Sequence, residues 1–246
     1  MQTPSLVMAA YQQSLQRATD VLANNIANAS TTGFKRQDNL FDTLVTQPTS
    51  GQPIRFAVDA GTYRDTAQGA MQTTGNPLDL AIQGKGYFQV ETPQGPRFTR
   101  GGAFVMNNAG EITTVGGLKL LGDGGQPIVL PGEATDIHIS GDGVVTGRVG
   151  NATAVTQFGR IVPVKFANEQ KLVATGNNLY RSDAPPEPDP DSRVAQGMIE
   201  RSNVEPVREL TRLIEITRSY TQLGRLLEQD NQRRSDAINK LARVSV

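Results

Sequence analysis

Few residues in this chain are spaced for chemistry. Its single histidine, His138, lies between Ile137 and Ile139 in an alternating stretch. A general base there has no serine, cysteine or acidic motif beside it, and the alternation favours a solvent-facing strand position. Asp136 and Asp142 are the carboxylates that glycan cleavage would pair across a cleft, but their sequence context does not set them apart from other acidic residues. Neither a G-x-S-x-G elbow nor an HExxH run is present. With one histidine and no cysteine, a zinc site would rest mostly on carboxylates, a poor match to that ion. Gly141, Gly143 and Gly147 follow a strand pattern, yet the third glycine is one position too far along and no helix pattern follows. A dinucleotide phosphate would therefore have no helix N-terminus to rest on, and the segment reads as a hairpin. Asp183, Glu187, Asp189 and Asp191 lack the spacing of a calcium loop. The expectation is a protein that is not an enzyme and that holds no cofactor and no metal.

Composition narrows the class further. Lysine plus arginine equals aspartate plus glutamate, 24 against 24 in 246 residues, so no strongly basic face for nucleic acid is expected. The absence of cysteine excludes a disulfide framework. No apolar run is long enough for a membrane span, and the N-terminal residues show no cleavable signal-peptide pattern.

Both ends carry helical periodicity. In residues 203–246, Leu213, Tyr220, Leu227, Arg234 and Leu241 recur every seven. Ile216, Leu223, Asp230 and Ala237 follow three later, and Leu210, Ile214 and Ile238 widen the stripe. Pro206 suits a first turn, with Ser202 or Asn203 as the cap. In residues 4–29, Met8, Leu15, Leu22 and Ala29 recur every seven, with Tyr11, Ala18 and Asn25 three later and Ile26 alongside. Gly33 suits a left-handed terminator of that helix, and Asn24, Asn25 and Asn28 crowd its end. These amides either cap a fraying end, or touch another chain and fix a register.

Residues 35–70 show no sustained period and read as an irregular or extended connector, with a turn of helix considered at Phe41, Leu44 and Val45 and short extended pieces at 54–58 and 61–63. Residues 71–182 contain many short apolar stretches at roughly ten-residue spacing with Gly or Pro between them, the pattern of antiparallel strands. Residues 184–191, APPEPDPD, read as a solvated acidic loop. The expected fold class is α+β. Discontinuous N- and C-terminal helices (residues 1–34 and 203–246) form a coiled-coil-like module. They flank the connector (35–70) and a mainly antiparallel β domain (71–202). Apolar stripes too long for one small domain favour packing between subunits.

Three runs are more specific than periodicity. ANNIANASTTGFK (residues 23–35) contains Asn24, Asn25, Asn28, Thr32, Gly33 and Phe34. TGNPLDLAI (74–82) contains Gly75, Asn76, Pro77, Leu78 and Asp79, and Gly84, Gly86, Tyr87 and Phe88 follow it. ERSNV (200–204) contains Ser202, Asn203 and Val204 and follows Gln196 and Gly197. Together these runs resemble the signatures of the bacterial flagellar rod and hook family, the axial proteins of the flagellum. Residues 200–215 with Arg218, Ser219 and Tyr220 are most similar to the proximal-rod members; distal-rod or hook-type members are the alternative. The resemblance implies a structural subunit needed for motility, exported through the flagellar type III apparatus without cleavage. It implies helical assembly in the periplasmic basal body, with copies of the chain and neighbouring rod proteins as partners and no nucleic acid. The terminal helices would then supply the assembly interface, through Met8, Tyr11, Leu15, Leu22, Asn25, Ile26 and Asn28 on one. The other would contribute Leu213, Ile216, Tyr220, Leu223, Leu227, Arg234 and Leu241.

Overall fold

The computed structural model describes residues 3–46, 54–150 and 152–244; the side chains of 3–7, 41–46, 54–60, 234, 237, 238 and 241–244 lie outside that description. The chain forms two compact units. The first comprises Met1–Ala27, Gln37–Asp65 and Glu205–Val246, the second Asn28–Arg36 and Thr66–Val204. Two helices and a mostly antiparallel β region make the protein α+β.

The first unit contains helix α1 (Thr3–Ala27), strands β1 (Gln37–Thr46) and β2 (Ile54–Arg64), and helix α2 (Pro206–Val244). The heptad spacing of α1 has a direct physical result, because Leu15, Ala18, Leu22 and Asn25 are all buried. Gln12 of α1 meets Tyr220 of α2, and Asn25 meets Glu209. Rising numbers on one helix thus meet falling numbers on the other, so the helices run antiparallel. Extending that register places residue 3 opposite about residue 230, and α2 continues past its partner for roughly 20 Å at 1.5 Å per residue. Pro206 occupies the first turn as expected. Ser202 and Asn203 lie too far upstream to cap it, and both serve the second unit instead.

Strands β1 and β2 form an antiparallel hairpin whose register shifts between Leu40 and Phe41. Phe41, Leu44 and Val45, considered above for a helical turn, lie within β1. Phe41, Thr43 and Val45 are strand-favouring residue types, and pairing with β2 satisfies the backbone there. The loop of residues 47–53 and the hairpin side chains of 41–46 and 54–60 lie outside the described residues.

In the second unit every strand pair is antiparallel. The largest sheet is five-stranded and centres on Phe88–Thr92 and Gly95–Thr99. A three-stranded sheet runs from Ala134–Ile139 through Val144–Val149 to Thr156–Arg160. Strand pairing continues beyond residue 182. Arg193–Gln196 pairs with Leu80–Gln83, and Met198–Glu200 pairs with Met71–Thr73. The acidic Pro-rich stretch is not wholly solvated. Glu187 and Pro188 pair with Lys165 and Val164. Asp189 is buried, accepts a hydrogen bond from Ser192 Oγ at 2.5 Å and faces Lys165 Nζ at 3.7 Å. One apolar core gathers Leu80, Ile82, Phe88, Phe104, Ile112 and Leu120, and a second gathers Tyr87, Phe98, Val164, Leu172 and Tyr180.

Phe88 is fully buried and meets Phe104 edge to face, with ring centroids 5.2 Å apart. Phe88→Ala should therefore cost about 3–5 kcal/mol. The urea midpoint of the tyrosine near-ultraviolet circular dichroism, to which Tyr87 and Tyr180 contribute, will fall accordingly.

Candidate assembly interface

From Asn28 onward the first signature run lies in the second unit, together with the other two. Helix α1 stops at Ala27, so Gly33 is not its terminator. Asn28 begins a turn instead, closed by a hydrogen bond from Thr31 N to Asn28 O at 3.0 Å. Gly33 does adopt a left-handed φ of +67°, and a Cβ there would lie 2.3 Å from the Arg100 carbonyl carbon. Close backbone approach is the reason for glycine at this position. Gly33 N donates to Glu200 O at 2.7 Å, and Asn178 Nδ2 donates to Thr32 O at 2.8 Å. Phe34 and Val204 are buried. Arg36 N donates to Asn203 Oδ1 at 2.7 Å.

A buried ion cluster lies beside this strap. Lys35 is 1% exposed, and its Nζ donates to Glu200 Oε1 at 2.6 Å and to Ala67 O at 2.8 Å. Gly69 N donates to the same Oε1 at 2.9 Å. Arg100 Nε stands 3.4 Å from Glu200 Oε2 as an ion pair. The Arg100 guanidinium also donates to the carbonyls of Gly86 and Gly84 and lies over the Tyr87 ring at 5.5 Å. Burial pushes the Lys35 amine below its ordinary pKa, and the charge and hydrogen bond of Glu200 oppose that shift. Burial and the neighbouring Glu169 push the Tyr87 phenol above its ordinary value.

The second run is a tight turn sealed against the third. Asn76 Nδ2 donates to Asp79 Oδ1 at 3.1 Å, and Leu78 N donates to Asn76 Oδ1 at 3.3 Å. Gly75 N donates to Gly197 O at 3.1 Å, and Gly197 N donates to Asp79 O at 2.8 Å. Gln196 Nε2 donates to Pro77 O at 3.0 Å. Chemistry elsewhere in the unit is sparse. His138 is exposed. Asp136 pairs with Arg148 at 3.1 Å, and Asp142 accepts from Ser140 Oγ, which holds its carboxyl below the usual carboxylate range. Among the described residues no group of three or more acidic or histidine side chains could hold a metal ion.

In the first unit the packing follows the heptads. Leu15, Leu22, Asn25 and Leu223 are buried, while Met8, Ile26, Leu213, Ile216 and Leu227 are half-buried. Tyr11 is 46% exposed, and the hydroxyl of partly exposed Tyr220 accepts from Gln12 Nε2 at 3.0 Å. Asp230 is half-buried and pairs with Arg233 at 3.7 Å. The side chains of Arg234 and Leu241 lie outside the described residues.

Asn25 works within its own chain. Its Nδ2 donates to Gln37 O at 2.7 Å and to Glu209 Oε2 at 3.2 Å, and its Oδ1 accepts from Gln37 N at 2.9 Å. Glu209 is fully buried, and Arg212 bridges it to Asp38, at 3.9 and 3.1 Å respectively. The role of Glu209 did have a sequence signal, because it falls seven residues before Ile216, on the buried heptad position. One aliphatic stripe of α2 is uncovered, with Val207 78%, Leu210 47% and Ile214 53% exposed.

Comparison with known proteins supplies the class. The chain matches the family described as flagellar basal-body rod protein over residues 12–35. It matches the flagellar hook protein FlgE/F/G D1 domain over 81–147, and the FlgEFG rod protein C-terminal family over 195–240. It is 36% identical to the flagellar basal-body rod protein FlgF of Caulobacter vibrioides, over 95% of this chain and 96% of that one. The FlgF of Mesorhizobium japonicum is 35% identical over the whole of both chains. The FlgG of Agrobacterium fabrum is 37% identical over 88% of this chain and 91% of its own. The protein belongs to the flagellar basal-body rod family. It is a structural subunit of the rod, close to FlgF, and the glycan-cleaving alternative is set aside by relatives that match it end to end.

Asn25→Ala removes an amide donor from a fully buried carboxylate, which should cost about 2 kcal/mol. Both described α-helices lie in this unit, so ellipticity at 222 nm reports its melting. The midpoint should fall by about 10 °C, whereas exposed Gln13→Ala should leave it nearly unchanged.

Proposed function

We propose that this protein is a subunit of the proximal rod. It self-assembles through its terminal helices, paired as a coiled-coil-like module, into the periplasmic drive shaft and export channel. Its partners are further copies of itself and neighbouring rod proteins, and it is delivered by the flagellar type III apparatus without cleavage of a signal peptide. The terminal-helix residues named above form one part of the interface, with those buried in the pair setting its shape. The observation that carries this reading is the uncovered aliphatic stripe Val207, Leu210 and Ile214 on a helix whose opposite side is already partnered. Aliphatic residues at spacings of three and four form one face, and a neighbouring subunit removes that face from water. Each such side chain is worth about 1.5–3 kcal/mol on full burial, and a repeating heterologous contact multiplies the gain along the rod.

Relatives of both the FlgF and FlgG types match this chain, so a FlgG-type position in the rod is the second reading. Complementation of strains lacking one or the other protein separates the two. For the interface itself, the paired change Leu210→Asp with Ile214→Asp should leave the helical signal of the purified protein unchanged. Swimming in soft agar, and incorporation into isolated basal bodies, should be lost. A motile strain with normal basal bodies would contradict the proposal.

A further inference from the structure

Residues 28–36 carry one large apolar side chain, the buried Phe34, and a series of polar contacts to the rest of the second unit. Neither apolar core described above contains Phe34. The polar contacts are Gly33 N to Glu200 O, Lys35 Nζ to Glu200 Oε1, Arg36 N to Asn203 Oδ1, and Asn178 Nδ2 to Thr32 O. Glu200 takes part through both its backbone and its side chain. The same carboxylate oxygen accepts from Gly69 N, so it also fixes the strand entry that follows β2 in sequence. A buried carboxylate that loses its charge leaves Lys35, Arg100 and the Gly69 amide facing one another without an anion, and buried like charges repel strongly.

We infer that residues 28–36 form a latch with Glu200 as its catch, opening as one local element while the β cores stay folded. Segments held by few apolar contacts open locally at lower free energy than the core. The two sides of the catch are 165 positions apart in sequence. The latch therefore closes only after the C-terminal part of the unit is in place, and the segment between α1 and β1 stays free until then. The inference does not depend on the place of the subunit in the rod.

Amide hydrogen exchange of the full chain, resolved residue by residue, tests it. In the unaltered protein the Gly33 and Arg36 amides, which bond from the latch to Glu200 O and Asn203 Oδ1, should exchange at least about 10-fold faster than those of Leu80, Tyr87 and Ile112, which are hydrogen-bonded within the β region. In Glu200→Gln, exchange at Gly33 and Arg36 should rise by about a further 10-fold or more, with the three core amides unchanged within about 3-fold. Equal protection of latch and core in the unaltered protein would overturn the inference. So would a uniform rise across all five amides in the variant, or no rise at Gly33 and Arg36. If the variant does not fold, the core is not independent of the catch, and the inference fails on that result.

Discussion

The constraint on which this structure depends is that the two ends of the chain must meet. Lys35 reaches Glu200 across 165 positions, Asn25 reaches Glu209 across 184, and Gln12 reaches Tyr220 across 208. Closing a loop of that length costs about 4–5 kcal/mol in chain entropy beyond a constant term. The ion pair itself returns little net stability, because desolvation offsets most of its attraction. Apolar burial at Leu15, Leu22 and Leu223 in one unit, and in the β cores of the other, supplies the driving force. The buried polar groups select the arrangement, since any other pairing of the ends strands a charge in the interior.

That division of labour explains the signature runs. TTGFK, TGNPLD and ERSN are not reactive motifs. Gly33 admits the Arg100 backbone, Asn76 folds a turn onto Asp79, and Glu200 holds Lys35. Each residue type is set by a close contact that the folded unit requires, and in the Lys35–Glu200 pair that contact joins two runs. Residues that hold a surface in shape are what a structural rod subunit needs in place of a reaction centre. Repeated identical copies can build a regular assembly only if each presents the same surface.

The helices were legible in the sequence because their pattern is local. Leu15, Ala18, Leu22 and Asn25 lie on the buried face that their spacing predicts. The antiparallel β character of the middle was legible from its turns. The hairpin of β1 and β2 was legible only in part: residues 54–58 and 61–63 read as extended, whereas β1 lacks alternation and its pairing with β2 could not be read locally. Arg193–Gln196 and Met198–Glu200 were hidden for the same reason, their partners lying about 110 to 130 positions away. Lys35 and Glu200 read in isolation as ordinary surface charges, and only the closure of the chain puts them in the interior. The resemblance to axial proteins identified the family, but not what its signature residues hold together.

We propose that α2 turns one face to α1 and offers the other to its neighbours in the rod. Cryo-electron microscopy of the assembled rod at side-chain resolution tests this most directly. The expected result is that Val207, Leu210 and Ile214 are covered by an adjacent subunit in every copy, with Leu223 still buried. A rod in which those three residues face solvent, while the subunits are joined through other surfaces, would contradict it.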